Sequence, residues 1–235
     1  WPPFLRAFGY ALAATFFALV ISYPLAYFIG VKARRWPLLQ ALMLTLVIAP
    51  FFISFLLRTL AWKALMSDET PLVQALKALS IIPGDGHLTG TAFSVIFGLT
   101  YNFIPFMTLP LFASLDRLDT RLLEASSDLY ATPGQTFWRV TFPLSLPGVV
   151  SGTLLTFIPA TGDYVNASQA FLGSPSTTMI GNVIQSKFLI TVNYPQAAAL
   201  SILRTTYVAV SNSAMGIILL VVGIYVKRSG TEDLL

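Results

Sequence analysis

Few residues in this chain can do chemistry, and their spacing narrows what that chemistry can be. Asp163 is the one acid inside a long apolar run, about 16 residues past Pro147 and so about 24 Å along a helix. An intramembrane acid is costly and faces a cavity or a partner. Beside Tyr164, its carboxylate suits a cation path through charge and cation–π contact. It can equally sit at an aqueous mouth, or pair with Arg58 or Arg204 for structure. Tyr101, Asn102 and Thr108 add polarity to another apolar run, where Pro105 frees a backbone carbonyl. Asn102 can line a path or bond helix to helix. Glu124 and Asp128, four residues apart, project together from one side of a helix. Enzymatic chemistry has little to work with. There is no cysteine and a single histidine, His87. That excludes disulfides, thiol chemistry and cysteine metal sites, and argues against a histidine metal site. No G-x-x-x-x-G-K-[ST] run occurs, so the chain carries no P-loop for a nucleotide phosphate.

The elements that must position these residues are apolar. Charged residues make up 10% of the chain, against about a quarter in a soluble domain, and mean hydropathy is +0.74. This predicts an all-α polytopic membrane protein, a single transmembrane domain over 1–235. With roughly 20 apolar residues needed per span, five candidates emerge: 4–30, 38–65 broken at Pro50, 91–115 with Pro105 and Pro110, 147–167, and 204–226. The last is diluted by Thr205, Thr206, Ser211, Asn212 and Ser213. The basic residues set the orientation. Lys32, Arg34, Arg35, Arg117, Arg121, Arg139, Lys227 and Arg228 fall on one side, which is therefore cytoplasmic. Arg6, Lys63, Lys77 and Lys187 fall on the other, so the N-terminus is predicted outside and the C-terminus inside. The chain opens at Trp1 with no signal-peptide pattern, and the odd span count predicts a sixth helix ahead of it. The formal charge of +4 is scattered over loops, which gives no basic face for nucleic acid. On the outer side, 69–80 reads as a short helix, 83–86 as a turn, and 175–190 as a weakly amphipathic segment too short to span.

Between two apolar runs lies a polar island, 116–148. Asp119 is a suitable N-cap for a helix running through Tyr130. Leu118, Leu122, Ala125 and Leu129 form its apolar stripe. Thr132, Pro133 and Gln135 open a second helix with a capping box, and Phe137, Trp138 and Val140 supply its apolar surface. Pro143 and Pro147 are expected to stop it and turn the chain back into the membrane. A hairpin lying on anionic lipid would carry many basic residues. This one carries Asp119, Glu124 and Asp128 against Arg121 and Arg139, which favours docking of a protein.

The run Glu124-Ala125-Ser126-Ser127-Asp128-Leu129-Tyr130-Ala131, followed by Pro143-Leu144-Ser145-Leu146-Pro147-Gly148, resembles the EAA loop of ABC importer permeases. Ser54-Phe55-Leu56-Leu57-Arg58-Thr59-Leu60-Ala61-Trp62, Asn102-Phe103-Ile104-Pro105-Phe106-Met107-Thr108-Leu109-Pro110, and Leu172-Gly173-Ser174-Pro175 with Met179-Ile180-Gly181-Asn182 resemble the permeases of spermidine/putrescine importers. The similarity runs to about Leu200. Beyond it, 204–215 fits the last helix of the family poorly.

The resemblance implies a type I importer permease fold in a bacterial inner membrane. It implies that 116–148 is a cytoplasmic coupling loop whose helix fits a groove on an ATPase. Glu124, Ala125, Ser126, Asp128 and Gly134 would then serve the coupling, with Leu129 anchoring the helix to the membrane domain. Asp163, Tyr164, Tyr101 and Asn102 would serve the pathway. The implied cargo is a polyamine, with another organic cation, an opine, sulfate or a ferric complex as alternatives. The implied partners are an ATPase dimer holding ATP and Mg, a second homologous permease and an extracytoplasmic binding protein. No cofactor is implied in this chain. Two positions depart from the family. Ser126 stands where alanine is usual, and Tyr130 where glycine is usual. The tyrosine predicts that the bend moves to 131–134, with Gly134 substituting.

Overall fold

The computed structural model describes residues 2–79, 83 and 86–232; the side chains of 215, 218–220 and 222–232 lie outside the described residues. Helices α1 (Pro2–Tyr27), α2 (Pro37–Ile48), α3 (Phe55–Leu65), α4 (Pro71–Ala78) and α5 (Ala92–Asp116) come first. They are followed by α6 (Thr120–Asp128), α7 (Pro133–Thr136), α8 (Phe142–Thr161), α9 (Ile180–Gln185) and α10 (Tyr194–Glu232). No strand occurs among the described residues.

Among those residues, three helical runs are long and apolar enough to cross a membrane: Pro2–Arg35, Ala92–Asp116 and Pro133–Thr161. A pair bent sharply at its break, Pro37–Phe52 with Phe55–Leu65, raises the number to four. The second predicted span is thus two helices. Pro50 disfavours helical backbone at Ala49, and a 3-10 turn over Ala49–Phe52 replaces the α-helix there. The fifth predicted span lies within α10, and many of its side chains are outside the described residues.

The fourth predicted span needs correction. Pro143 and Pro147 do not stop the preceding helix; α7, a π turn (Phe137–Thr141) and α8 follow one another without a break. Pro143 is the second residue after the π turn, where the Phe142 amide bonds Phe137 O five residues back. The i→i+4 partner that Pro143 lacks is therefore not required. Pro147 removes one interior bond, which membrane helices tolerate. The run ends at Thr161, before Asp163.

The chain forms two compact units. The first comprises 1–17, 49–103 and 157–208; the second comprises 18–48, 104–156 and 209–235. In the first, Ala7, Ala11 and Ala14 of α1 are buried. Phe8 packs edge-on to Phe157 and Tyr207, at 5.5 and 5.7 Å between ring centres. In the second, Ala18, Tyr23 and Ala26 of α1 pack with Met107, Leu111, Leu115, Leu118 and Val149. Helix α1 buries its small residues and exposes Leu12, Phe16, Phe17, Val20 and Ile21. That inversion suits a bilayer, where close backbone approach rather than apolar burial joins helices. Helices α5 and α8 approach in the same way. A Cβ on Gly148 would lie 2.6 Å from Ser114 Cβ and 2.8 Å from Pro110 O, and one on Gly152 would lie 2.8 Å from Met107 Sδ.

Candidate functional site

The polar island folds as a capped hairpin in the second unit. Asp119 Oδ1 accepts from the Arg121 amide at 3.0 Å and opens α6. Thr132 and Gln135 close the predicted capping box on α7, with the Thr132 amide 2.8 Å from Gln135 Oε1. The hairpin is stitched to the far end of the first helical run and to the start of α2. Arg34 Nη1 donates to Leu118 O at 3.0 Å, and Gln40 Nε2 donates to Asp116 Oδ1 at 2.9 Å.

The turn between α6 and α7 falls four residues before Gly134, where glycine was expected to act. Tyr130 itself is left-handed, with φ of 57°. Its amide bonds Ser127 O at 3.0 Å, and the Ala131 amide bonds Ser126 O at 3.1 Å. These two bonds are the Schellman pattern that glycine usually ends. The bend therefore does not move to 131–134. Gly134 lies in the first turn of α7 without a positive φ, and nothing lies within 4 Å of a Cβ built on it.

The inward face of α6 also differs from the predicted stripe. Leu118 is buried, but Leu122 is 45% and Leu129 81% exposed, so Leu129 is not an anchor to the membrane domain. Leu123 and Phe137 pack on the core cluster instead. Between them Ser126 is buried, its hydroxyl 2.7 Å from Leu123 O and 2.9 Å from Thr136 Oγ1. Both capacities of that hydroxyl are used locally, so a serine can occupy the inner face. Glu124, Ala125, Asp128, Leu129, Tyr130 and Gly134 are all exposed, and Ser126 faces α7.

The pathway candidates fall in the first unit. Asp163 follows the end of α8 and is buried. Its Oδ1 accepts from the Val165 amide at 3.2 Å, and its Oδ2 accepts from the Asn166 amide at 2.9 Å and Asn166 Nδ2 at 3.0 Å. Asn166 Oδ1 in turn accepts from Asn102 Nδ2 at 3.3 Å. The carboxylate thus fixes the orientation of two amides in series, and joins α5 to the turn after α8. Among the described residues Asp163 makes no ion pair with Arg58 or Arg204. Arg58 is buried with its guanidinium 5.7 Å over the Phe55 ring. The Arg204 guanidinium occupies the space a Cβ on Gly162 would take. Tyr164 is 47% exposed, and its carbonyl accepts from Asn182 Nδ2 at 2.6 Å. Tyr101 stacks edge-on to Trp62 at 5.1 Å. Asn166 and Thr136 were missed as site residues. An Asp-x-x-Asn step at the end of an apolar run is the signal for the first, and a threonine one helical turn past the cap for the second.

The segments 69–86 and 175–190 of this unit hold the short elements expected of them. Helix α4 lies within 69–80, and the Gly86 amide bonds Pro83 O at 2.8 Å; Gly84 and Asp85 lie outside the described residues. The 175–190 segment holds a 3-10 turn, α9 and a π turn (Ser186–Ile190). Asp68 bonds His87 Nδ1 and, at 3.0 Å, Lys77 Nζ. These hydrogen bonds, that of His87 first, hold its carboxyl below the usual range.

The chain is similar to proteins of known kind over most of its length. The family described as binding-protein-dependent transport system inner membrane component matches residues 4–228. The spermidine/putrescine transport system permease protein PotB of Haemophilus influenzae is 38% identical over 196 residues, covering 83% of this chain and 67% of that protein. PotB of Escherichia coli (strain K12) is 36% identical over 217 residues, covering 92% of this chain and 74% of that protein. Among solved structures, a chain of the inward-facing MetNI methionine ABC transporter superposes with a TM-score of 0.59 at 20% identity, covering 97% of this chain and 94% of that one. That likeness bears on the fold alone. The spans, the family match and the fold likeness agree: the chain belongs to the binding-protein-dependent transport system inner membrane components.

Proposed function

We propose that this chain is the permease subunit that carries polyamines, spermidine and putrescine among them, through an ATP-driven importer. The observation that carries the coupling role is the capped hairpin, which presents Glu124, Asp128, Leu129 and Tyr130 to solvent while Leu123, Ser126 and Phe137 hold it from within. Carboxylates beside exposed leucine and tyrosine suit a protein groove. The substrate reading rests on the names of the relatives. ATP and Mg then belong to a partner ATPase dimer. A second homologous permease completes the pathway, and a soluble binding protein delivers the cargo. The side bearing the hairpin is cytoplasmic, and the N-terminus of the chain faces outward.

In this reading nucleotide-driven closure of the ATPase moves α6, and the bonds from Arg34 and Gln40 pass that motion to the first helical run and to α2. Tyr164 and Tyr101 offer ring faces to a passing ammonium. Asp163 acts through the turn it caps, and Asn102 is held by it through Asn166. The experiment is ATP-dependent uptake of labelled spermidine and putrescine by cells carrying the chain with its partners. Glu124→Ala and Asp163→Asn are expected to reduce uptake. Normal uptake in both removes these residue roles, and no uptake of either polyamine with any partner set removes the substrate.

A further inference from the structure

We infer that the second unit carries a binding site for the phosphate headgroup of an anionic phospholipid, at the corner where the first helical run meets the hairpin. A cavity of about 320 Å³ opens there between Val31, Arg34, Arg35, Thr120, Leu123 and Glu124. Arg34 is held in place because Nη1 donates to Leu118 O. The rest of its planar donor set is left for a ligand. The Arg35 side chain makes no hydrogen bond or ion pair among the described residues, and neither arginine pairs with Glu124, although all three line the same cavity. Lys32 adds a third exposed cation two residues away. Two guanidinium groups facing one cavity match the oxygens of a phosphate. The surroundings favour a lipid over a soluble anion or an acidic protein surface. Val31 and Leu123 give the cavity apolar walls. Next in the chain stand Trp36, 63% exposed, and Leu38, 83% exposed, as an aromatic anchor and an apolar track for an acyl chain. Basic pockets at the cytoplasmic end of membrane helices take such headgroups.

The inference rests on the membrane orientation proposed above. It gives the lipid a place beside Glu124 and Leu123 of the docking helix, so the composition of the leaflet bears on coupling. The test uses the whole importer, with its ATPase and binding protein, in nanodiscs of phosphatidylcholine with and without phosphatidylglycerol. Native mass spectrometry counts phosphatidylglycerol retained on the folded assembly. Arg35→Gln is expected to lower retention about fivefold, and Arg35→Lys to restore much of it. Equal retention by wild type and Arg35→Gln overturns the site. Displacement by free glycerol phosphate makes it a soluble-anion site and overturns the lipid. Loss of ATPase copurification in Arg35→Gln, equal with and without phosphatidylglycerol, assigns the cavity to the protein partner and also overturns it. Altered lipid retention in an assembly that takes up no polyamine leaves the lipid site standing and removes only the substrate.

Discussion

Tyr130 carries the sharpest prediction. A residue with a Cβ in the left-handed region costs about 1–2 kcal/mol relative to the ordinary helical region, and Tyr130 has φ of 57°. Its side chain is 96% exposed, so almost no burial within this chain offsets that strain. Tyr130→Gly removes the strain but adds freedom to the unfolded turn, which returns a fraction of a kcal/mol. The net gain is about 1 kcal/mol, or about fivefold in the opening equilibrium of the hairpin. Hydrogen exchange on the assembled importer reads it directly, at the amides of residues 130 and 131 that bond Ser127 O and Ser126 O. Exchange there is expected to slow about fivefold in Tyr130→Gly and to stay unchanged in Tyr130→Ala, which keeps the left-handed strain. Exchange in Tyr130→Gly as fast as wild type refutes the reasoning. Uptake adds a second axis. If the ring is used for docking, both variants lose ATP-coupled uptake, although one of them has the firmer turn. A strained residue kept at an exposed turn is the pattern of a functional position.

Three further outcomes follow from the first unit. Gly181→Ala places a Cβ 2.6 Å from both Asp163 O and Gly162 O; these are backbone atoms, so the variant should lose about 1–3 kcal/mol, and an unchanged melting temperature in detergent contradicts the packing. Asp163→Asn replaces an acceptor of three bonds by a group that brings its own donors to Asn166. A loss of about 1.5–3 kcal/mol is expected, seen as a lowered melting temperature with Asn166→Ala non-additive on top of it, and strict additivity argues against the series. Asp68 sets a pH dependence. Its folded pKa is lowered by the bonds from His87 and Lys77, so the stability it contributes is complete above the unfolded value of 3.8 and is lost as pH falls through the lower folded value. Proteolysis within α4 should stay slow from neutral pH down to that window and rise below it. Asp68→Asn should be cleaved faster even at neutral pH, and equal rates for the two proteins sink the role of the carboxylate.

Caps and apolar length were legible in the sequence because both are local. Asp119, and Thr132 with Gln135, do what their types and spacing dictate. The long runs starting at Pro2 and Ala92 follow from composition alone. What failed depended on partners far along the chain or on backbone register. The prolines at 143 and 147 read as breakers because a π turn leaves no compositional mark. The face of α6 was rotated because a serine can be buried once Thr136, ten residues on, takes its hydroxyl. Asp163 read as an acid within a span, lining a path, at an aqueous mouth or paired with Arg58 or Arg204, since neither the end of α8 nor the donors on Asn166 and Val165 show in an apolar count. Tyr130 was expected to displace the turn, yet the two Schellman bonds hold it left-handed in place.

The bond between Tyr23 and Ser145 joins residues 122 apart in the chain, at 2.7 Å and in a buried setting. It gives the protein a schedule as well as a shape. At a synthesis rate of about 5–20 residues per second, Ser145 emerges about 6–24 s after Tyr23. Throughout that interval the first span exists without its native polar partner, and the Tyr23 hydroxyl has to be served by water or by the insertion machinery. The Arg34 bond to Leu118 imposes a similar delay, over 84 residues. Assembly of this permease is therefore paced by the ribosome, and its capped hairpin is tied in place only when the middle of the chain has been made.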